Sequence, residues 1–526
     1  MKVFHLPKKE ISAFNSQQLL LSDEQHKLSK YLGNLNDLSA FENQLLLKKS
    51  QFTDQQRLDL HQVLVRDYQE KQLPKAKASI ELLTKPTTFT VTTGHQLCLF
   101  SGPSYFIYKI LHTIQLARKL KETYPNYDFV PVYWMVSEDH DVEEIRSLNL
   151  FNQTIQWTTC VEGAVGDLPI EGLHEAAEKL IYLFRAETES EIKDIIQFKN
   201  HKKYADFVFD FVTELFHEFE LLVLNAQDSS LKKQFIQIAE KELETQFSFN
   251  AINETNKALQ EDGFNQQIHP REINLFHLSD GKRQRIIPKN NGFNIGDKFY
   301  TLEELIFEFN EKPENCSPNV VLRPVYQELI LPNIAYVGGA GELSYWMQLK
   351  LVFQGCNVTF PILQMRKSFQ VIDQKTTVKW NELGFTISDF FKPSDQLIRM
   401  YTEQKMKEEV SFQPVRETFS KMQEELVKIG KAAEKDLEKW IASELVKIEK
   451  QVLQIEQKLK RSVKQKHEDQ LKWIEKQKER LFPNGNLQER ELNFFHFCAD
   501  GKIYEKLQLF LNELDPFDPT VVVLVN

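Results

Sequence analysis

Four consecutive polar residues, Glu138-Asp139-His140-Asp141, follow an apolar run from Tyr127 to Val136. Two carboxylates flanking an imidazole at the end of a buried strand can supply a general base near neutral pH or hold a cation. The same residues also make a capped turn, because Ser137 or Asp141 can start the helix that contains Ile145. A second polar group, Gly94-His95-Gln96, ends another β-branched stretch and can face the same cleft, although a lone histidine is as readily structural. Ser101, Gly102 and Pro103 then open a helical stretch carrying Tyr105 and Lys109, where free backbone N–H groups can meet an anion. Neither GxGxxG nor GxxxxGK[ST] is present, so phosphate binding does not follow from spacing alone. Arg323 and Arg366 are cations in apolar surroundings, where an unpaired charge is costly, and each calls for a carboxylate or phosphate partner. An internal ion pair with Glu328 or Glu342 is the plainer alternative. The five cysteines, Cys98, Cys160, Cys316, Cys356 and Cys498, are widely separated, form no CxxC pair and read as reduced thiols.

These residues need a scaffold that brings them together, and the pattern predicts an α/β fold. Thr87 to Thr92 is a strand, Gly94 punctuates it, and Tyr105 to Leu120 is a helix. Tyr127 to Val136 is a continuous apolar strand suited to burial on both faces, and Leu221 to Asn225 is a third. Successive β-α steps favour a parallel sheet, whose ligands bind beyond the carboxyl ends of the strands. A glycine cluster, Gly338-Gly339-Ala340-Gly341, directly precedes a helix-like stretch, and Arg323 is read at a strand end. Ser12 to Leu83 is read as an N-terminal helical layer. Short strands around Gln284 to Ile287 and a hairpin near Gly292 to Tyr300 suggest an inserted module. The terminal run Thr520 to Val525 is a strand able to join the sheet.

From Arg416 to Arg480 there is no proline and one glycine, and apolar residues from Phe419 through Leu445 to Val463 recur at three- and four-residue steps. This is a heptad seam. A continuous helix of that length would reach roughly 100 Å, so it must pack on a partner chain or fold back on itself. The chain has 526 residues, with 65 Lys and Arg against 75 Asp and Glu, for a net charge of -10. That balance gives no electrostatic case for nucleic acid or anionic membrane. No segment runs apolar for the length of a membrane span, no signal peptide is legible, and a cytoplasmic protein is expected.

Five stretches go further: VTTGHQLCLFSGPSYFIYKI (91–110), PVYWMVSEDHDVEEI (131–145), VVLRPVYQELILPNIAYVGGAGELSYWMQLK (320–350), FPILQMRKSF (360–369) and LFPNGNLQERELNF (481–494). In sequence and order they resemble the bacillithiol biosynthesis cysteine-adding family, BshC, from roughly residue 85 to the C-terminus. The resemblance implies a Rossmann-like core with two inserted connecting modules, as in class I aminoacyl-tRNA synthetases and nucleotidyltransferases, plus an antiparallel helical arm that forms a homodimer. It also implies amide formation between cysteine and the amine of glucosaminyl-malate, the last step of bacillithiol synthesis, and binding of an adenine nucleotide, ATP or ADP, with Mg accompanying it. The family commonly has Gly-Gln-Gln where this chain has Gly94-His95-Gln96, and proline within the glycine cluster where this chain has Ala340-Gly341.

The expected organisation is an N-terminal helical segment over 1–84, a Rossmann-like core over 85–400 with modules at about 150–220 and 245–315, a coiled-coil arm over 415–482, and a C-terminal return over 483–526. Glu138, Asp139, His140 and Asp141 are the expected catalytic group, with His140 or Glu138 as base. Gly94, His95, Gln96, Ser101, Gly102, Tyr105 and Lys109 are expected to bind substrate, with Arg323, Gln327, Gly338, Gly339, Glu342, Tyr345 and Arg366 around the anionic groups. All are expected to line one solvent-reachable cavity. The chain could instead be a nucleotide-binding coiled-coil scaffold without catalysis, or a nucleotidyltransferase acting on another small acid.

Overall fold

The computed structural model describes residues 2–159, 163–199, 201–279, 281–433 and 435–526. Its centre is a five-stranded, wholly parallel sheet. In spatial order the strands are Ile362–Met365, Asn333–Gly338, Thr88–His95, Asp128–Met135 and Leu222–Asn225. The first strand in the chain, Thr88–His95, is buried at every position, as expected for a strand covered on both faces. The chain adds Asp128–Met135 and Leu222–Asn225 on one side of it, then crosses over to add Asn333–Gly338 and Ile362–Met365 on the other. The order therefore reverses between Thr88–His95 and Asn333–Gly338, and open parallel sheets form their binding crevice at such a reversal.

Helix Tyr105–Thr123 packs across the sheet, sharing a cluster with Phe41 and Leu45 of helix Ala40–Gln51, while helices Asp54–Asp67 and Pro74–Leu82 add Leu60, Leu64 and Ile80 to the main core. Residues 153–217 and 275–318 hold small added elements, the latter a sheet ordered Lys298–Thr301, Gly292–Ile295, Lys282–Lys289, Leu275–Ser279 and Cys316–Pro318.

Three expectations change. The terminal strand Val521–Val525 does not join the core sheet; it lies between Lys2–Leu6, antiparallel, and Ser368–Ile372, parallel, in a separate three-stranded sheet. The N-terminal segment thus begins with a strand before its helices. Arg323 opens helix Arg323–Ile330 and does not end a strand, because Pro324 fits the first turn of a helix, where its missing N–H is not needed.

The arm folds back. Helices Gln413–Ala432 and Lys435–Lys466 pair antiparallel, with Arg416 on Glu456 at 2.6 Å near the base and Gly430 against Ile441 near the turn. A Cβ on Gly430 would come 3.0 Å from Ile441 Cδ1, so glycine allows the close approach there. No helix among the described residues is long and apolar enough to cross a membrane. Cys98, Cys316, Cys356 and Cys498 are free, and burial pushes the Cys98 thiol up to about 12; Cys160 lies outside the described residues.

Candidate active site

The reversal in strand order puts Gly94 and His95 beside Gly338 and Gly339. Lys109, one turn into its helix and almost wholly buried, reaches back across this point: its Nζ donates to the Gly94 carbonyl and to both Glu342 oxygens, at 2.7 and 2.9 Å. Glu342 also accepts from the Gly339 N–H at 3.2 Å and the Tyr336 hydroxyl at 3.4 Å. A Cβ on Gly94 would stand 3.3 Å from that hydroxyl and 3.8 Å from Gln327 Oε1. Gln327 in turn donates to Glu328 at 3.0 Å. Burial draws the Lys109 ammonium below its ordinary value, with Glu342 opposing.

His95 stacks on Tyr105 with centroids 5.2 Å apart, and the Arg366 guanidinium lies over the same Tyr105 ring at 5.2 Å. Burial first, and then Lys109 and Arg366, hold the imidazole well below its ordinary range, so it is neutral. Arg366 pairs with Glu489 at 2.7 Å, not with the glutamates expected from sequence. Burial works against the Arg366 charge, but Glu489 together with Tyr105 and Glu342 outweighs it and raises its pKa.

At the next strand end Gln96 donates to Asp139 at 3.2 Å and to Glu144 at 2.8 Å, and Arg323 lies 3.8 Å from Asp139. Burial alone would raise the Asp139 pKa; Arg323, the His140 N–H and Gln96 together bring it below the usual range. Tyr345 lies within electrostatic reach of Glu342, Arg323 and Asp139. The four sequence groups around residues 95, 140, 323 and 340 therefore meet at one end of the sheet.

Within the polar tetrad the roles divide. Glu138 is buried, paired with the fully buried Lys232, and accepts from Ser317 Oγ at 2.9 Å. Asp141 caps the short helix Val142–Ile145, accepting the Glu144 N–H at 3.3 Å. His140 is more than half exposed, and its Nδ1 accepts from Arg283 at 3.2 Å. In that arrangement a neutral ring carries its proton on Nε2, so taking a proton at Nδ1 requires Arg283 to turn away.

Two expectations do not survive the geometry. Ser101 and Gly102 do not face the crevice: Asn493 donates to the Phe100 and Gly102 carbonyls and to Ser101 Oγ, and the Ser104 N–H is taken by the Leu492 carbonyl. The start of helix Tyr105–Thr123 is thus packed against the C-terminal return, which takes up the Ser104 N–H. Nor do the expected residues line one large cavity. The space bounded by Ser137, Glu138, Arg323 and Tyr326 is about 10 Å³, room for one water at most. The large cavity, about 980 Å³, lies beyond the end of Leu222–Asn225 and none of the expected residues lines it.

Sequence reasoning missed Lys232, Arg283, Ser317 and Glu489. Glu489 falls inside one of the five family-like stretches, so a signal for it existed. Lys232 and Arg283 sit in basic surface-like stretches that nothing distinguishes from solvated ones.

Residues 1–367 match the N-terminal Rossmann-like domain model of bacillithiol biosynthesis BshC, and residues 369–524 match its C-terminal coiled-coil domain model. The chain belongs to the BshC family. Among its relatives is a Flavobacterium johnsoniae protein named "Putative cysteine ligase BshC", 35% identical over 502 residues and covering 94% of each chain. Proteins of the same name from Christiangramia forsetii and Cytophaga hutchinsonii are 35% and 36% identical, covering 95% and 85% of each chain. The family models divide at residue 368, so in BshC terms the strand Ser368–Ile372, from Phe369 on, and the arm go with the coiled-coil part.

Proposed function

We propose that this chain joins the carboxyl group of cysteine to the amine of glucosaminyl-malate, completing bacillithiol. The observation that carries the reading is the pair Arg323 and Arg366, each with a buried Nε–H that has no acceptor among the described residues, the first beside Asp139 and the second over Tyr105 at the strand-order reversal. Unmet guanidinium donors suit the carboxylates of malate or a phosphate. The same donors fit an adenine nucleotide, which when bound would supply the leaving group that an unreactive carboxyl lacks. No group of three His, Cys, Asp or Glu among the described residues is placed to hold a metal, so Mg enters this reading as a companion of the phosphates.

Arg323 and Arg366 orient the anionic substrate, and Lys109 with Glu342 fixes the floor against which it lies. Arg283, turning to an incoming carboxylate, frees His140 Nδ1 to take a proton from the attacking ammonium. Glu138 is a weaker candidate for that step because Lys232 and Ser317 occupy it. The space at Ser137, Glu138 and Arg323 has to widen for this, since about 10 Å³ admits no substrate. The arm's exposed apolar positions support a homodimer.

Purified protein incubated with cysteine, glucosaminyl-malate and ATP tests the reading. Amide product with ADP, or with AMP and pyrophosphate, supports it and identifies the bond broken; nucleotide binding without product supports a scaffold; nucleotide transfer to another small acid supports a nucleotidyltransferase. His140→Ala should lower turnover on the order of 100-fold or more. Near-normal turnover would remove His140 from the proton transfer.

A further inference from the structure

The cavity of about 980 Å³ is built from four parts of the chain, one of them the small sheet around Leu278 and Glu314. Asn225 and Gln227 come from the carboxyl end of the edge strand Leu222–Asn225, Lys71 from just after helix Asp54–Asp67, and Lys199, His201 and Asp210 from the segment between Asp128–Met135 and that edge strand. Position favours ligand binding, since the cavity lies on the side of a parallel sheet where ligands are held. It is also mechanically continuous with the candidate site. Ala164 and Asp167 form one wall, and the neighbouring Val165 and Gly166 N–H groups donate to the carbonyls of Asp139 at 2.6 Å and Ser137 at 2.7 Å. Ser137 Oγ donates to Asn225 at 2.7 Å.

The charges inside do not balance locally. Asp210 receives Lys71, Lys199 at 3.2 Å and His201 Nε2 at 3.1 Å, so two ammonium groups and an imidazole converge on one carboxylate. The His201 side chain is 8% exposed, and its Nδ1 is buried with no hydrogen-bond partner among the described residues. A single carboxylate carries half the charge needed to balance the two ammonium groups at that corner. Elsewhere acidic Glu70, Asp206 and Glu314 line the same cavity, so it suits a ligand that carries hydroxyl or ammonium groups as well as an anion.

We propose that this cavity is a binding site for a small anionic ligand, whose carboxylate or phosphate group shares the corner formed by Lys71, Lys199 and His201 with Asp210. The site is separate from the Arg323 and Arg366 crevice and does not depend on which reaction occurs there, because it is read by binding alone.

Calorimetric titration of the full chain with L-malate and, separately, with inorganic phosphate tests the proposal. Lys199→Met, at a half-exposed position, should leave the melting temperature unchanged and weaken binding of one probe about tenfold, the effect of losing one charge-assisted contact. Asp210→Asn should tighten the same probe, since it removes the competing carboxylate. Loss confined to malate identifies a carboxylate ligand, and loss confined to phosphate a phosphorylated one. Should Asp210→Asn fail to fold, Lys71→Met is measured in its place and must weaken the probe that Lys199→Met weakens. If both probes bind Lys199→Met as they bind the unaltered chain, or neither binds the unaltered chain, the cavity is not an anion site.

Discussion

In the strand-end crevice charged side chains are buried, and along the arm apolar side chains are exposed. Lys109 and Lys232 are 1% and 0% exposed, each beside a glutamate, whereas Ile429, Trp440 and Ile455 on the arm are 58%, 60% and 56% exposed. Both regions depart from the ordinary distribution of residues, in opposite directions. A buried charge is retained where its geometry is used, because an apolar replacement of equal volume is often no less stable. An exposed apolar row is retained where another surface covers it. The crevice is therefore read as the place of chemistry and the arm as a place of association, and each reading can be broken separately.

The largest effect should come from the crevice. Lys232→Met leaves Glu138 buried without its counter-charge, at a cost of about 3–5 kcal/mol, read from urea denaturation of the core. Glu138→Leu combined with Lys232→Met should recover most of that loss. A double variant as unstable as the single one would mean that the pair's charges are not what the core depends on.

The two regions were unequally legible in the sequence. The core strands and the helix after Gly102 follow from apolar runs bounded by glycine, and the arm follows from its heptad steps, because local period alone specifies them. Which face of the arm is covered does not follow. Along the seam, Leu445 and Val463 are buried while Met422, Leu437 and Ile455 stay exposed, since a helix folded on itself covers only part of the seam. For the site, Gln96 and Asp139 were legible as strand-end polar residues and Arg323 as a cation in apolar surroundings, although it opens a helix and does not end a strand. Their partners were not: Arg366 meets Glu489 from beyond the arm, and Glu138 meets Lys232 from a surface-like helix. Pairings of that kind depend on how distant segments dock, which no local pattern encodes. The closure of Ser101 and Gly102 by Asn493 is the same lesson in backbone form.

A smaller effect is expected on the arm. Replacing both Ile429 and Ile455 with Glu puts charge on its exposed apolar row without touching the core. If the row is the association surface, the unaltered chain should sediment as a dimer and the variant as a monomer, and core stability should move by no more than about 0.5 kcal/mol, as for ordinary surface changes. An unchanged dimer would place the association elsewhere and remove the meaning given to the exposed row.

The smallest effect separates structure from chemistry inside the crevice itself. His95 and His112 are both fully buried and both held well below the ordinary 6.5 of histidine, chiefly by burial, with Lys109 and Arg366 adding for His95 and Lys367, Lys8 and Arg366 for His112. The unfolded chain therefore takes up a proton at each as pH falls through about 6.5, while the folded chain does not. Stability from this source is intact above that pH and declines below it, by about 1.4 kcal/mol per pH unit for each histidine. His95→Gln keeps the polar shape, matches the residue the family commonly carries there, and removes one of the two protons. Its stability between pH 6.5 and pH 5.5 should fall less steeply than that of the unaltered chain, with little difference at pH 8 and turnover preserved. An unchanged slope would show that His95 protonates as easily in the folded chain as in the unfolded one, and a large loss of turnover would move it from the packing of Tyr105 into the reaction.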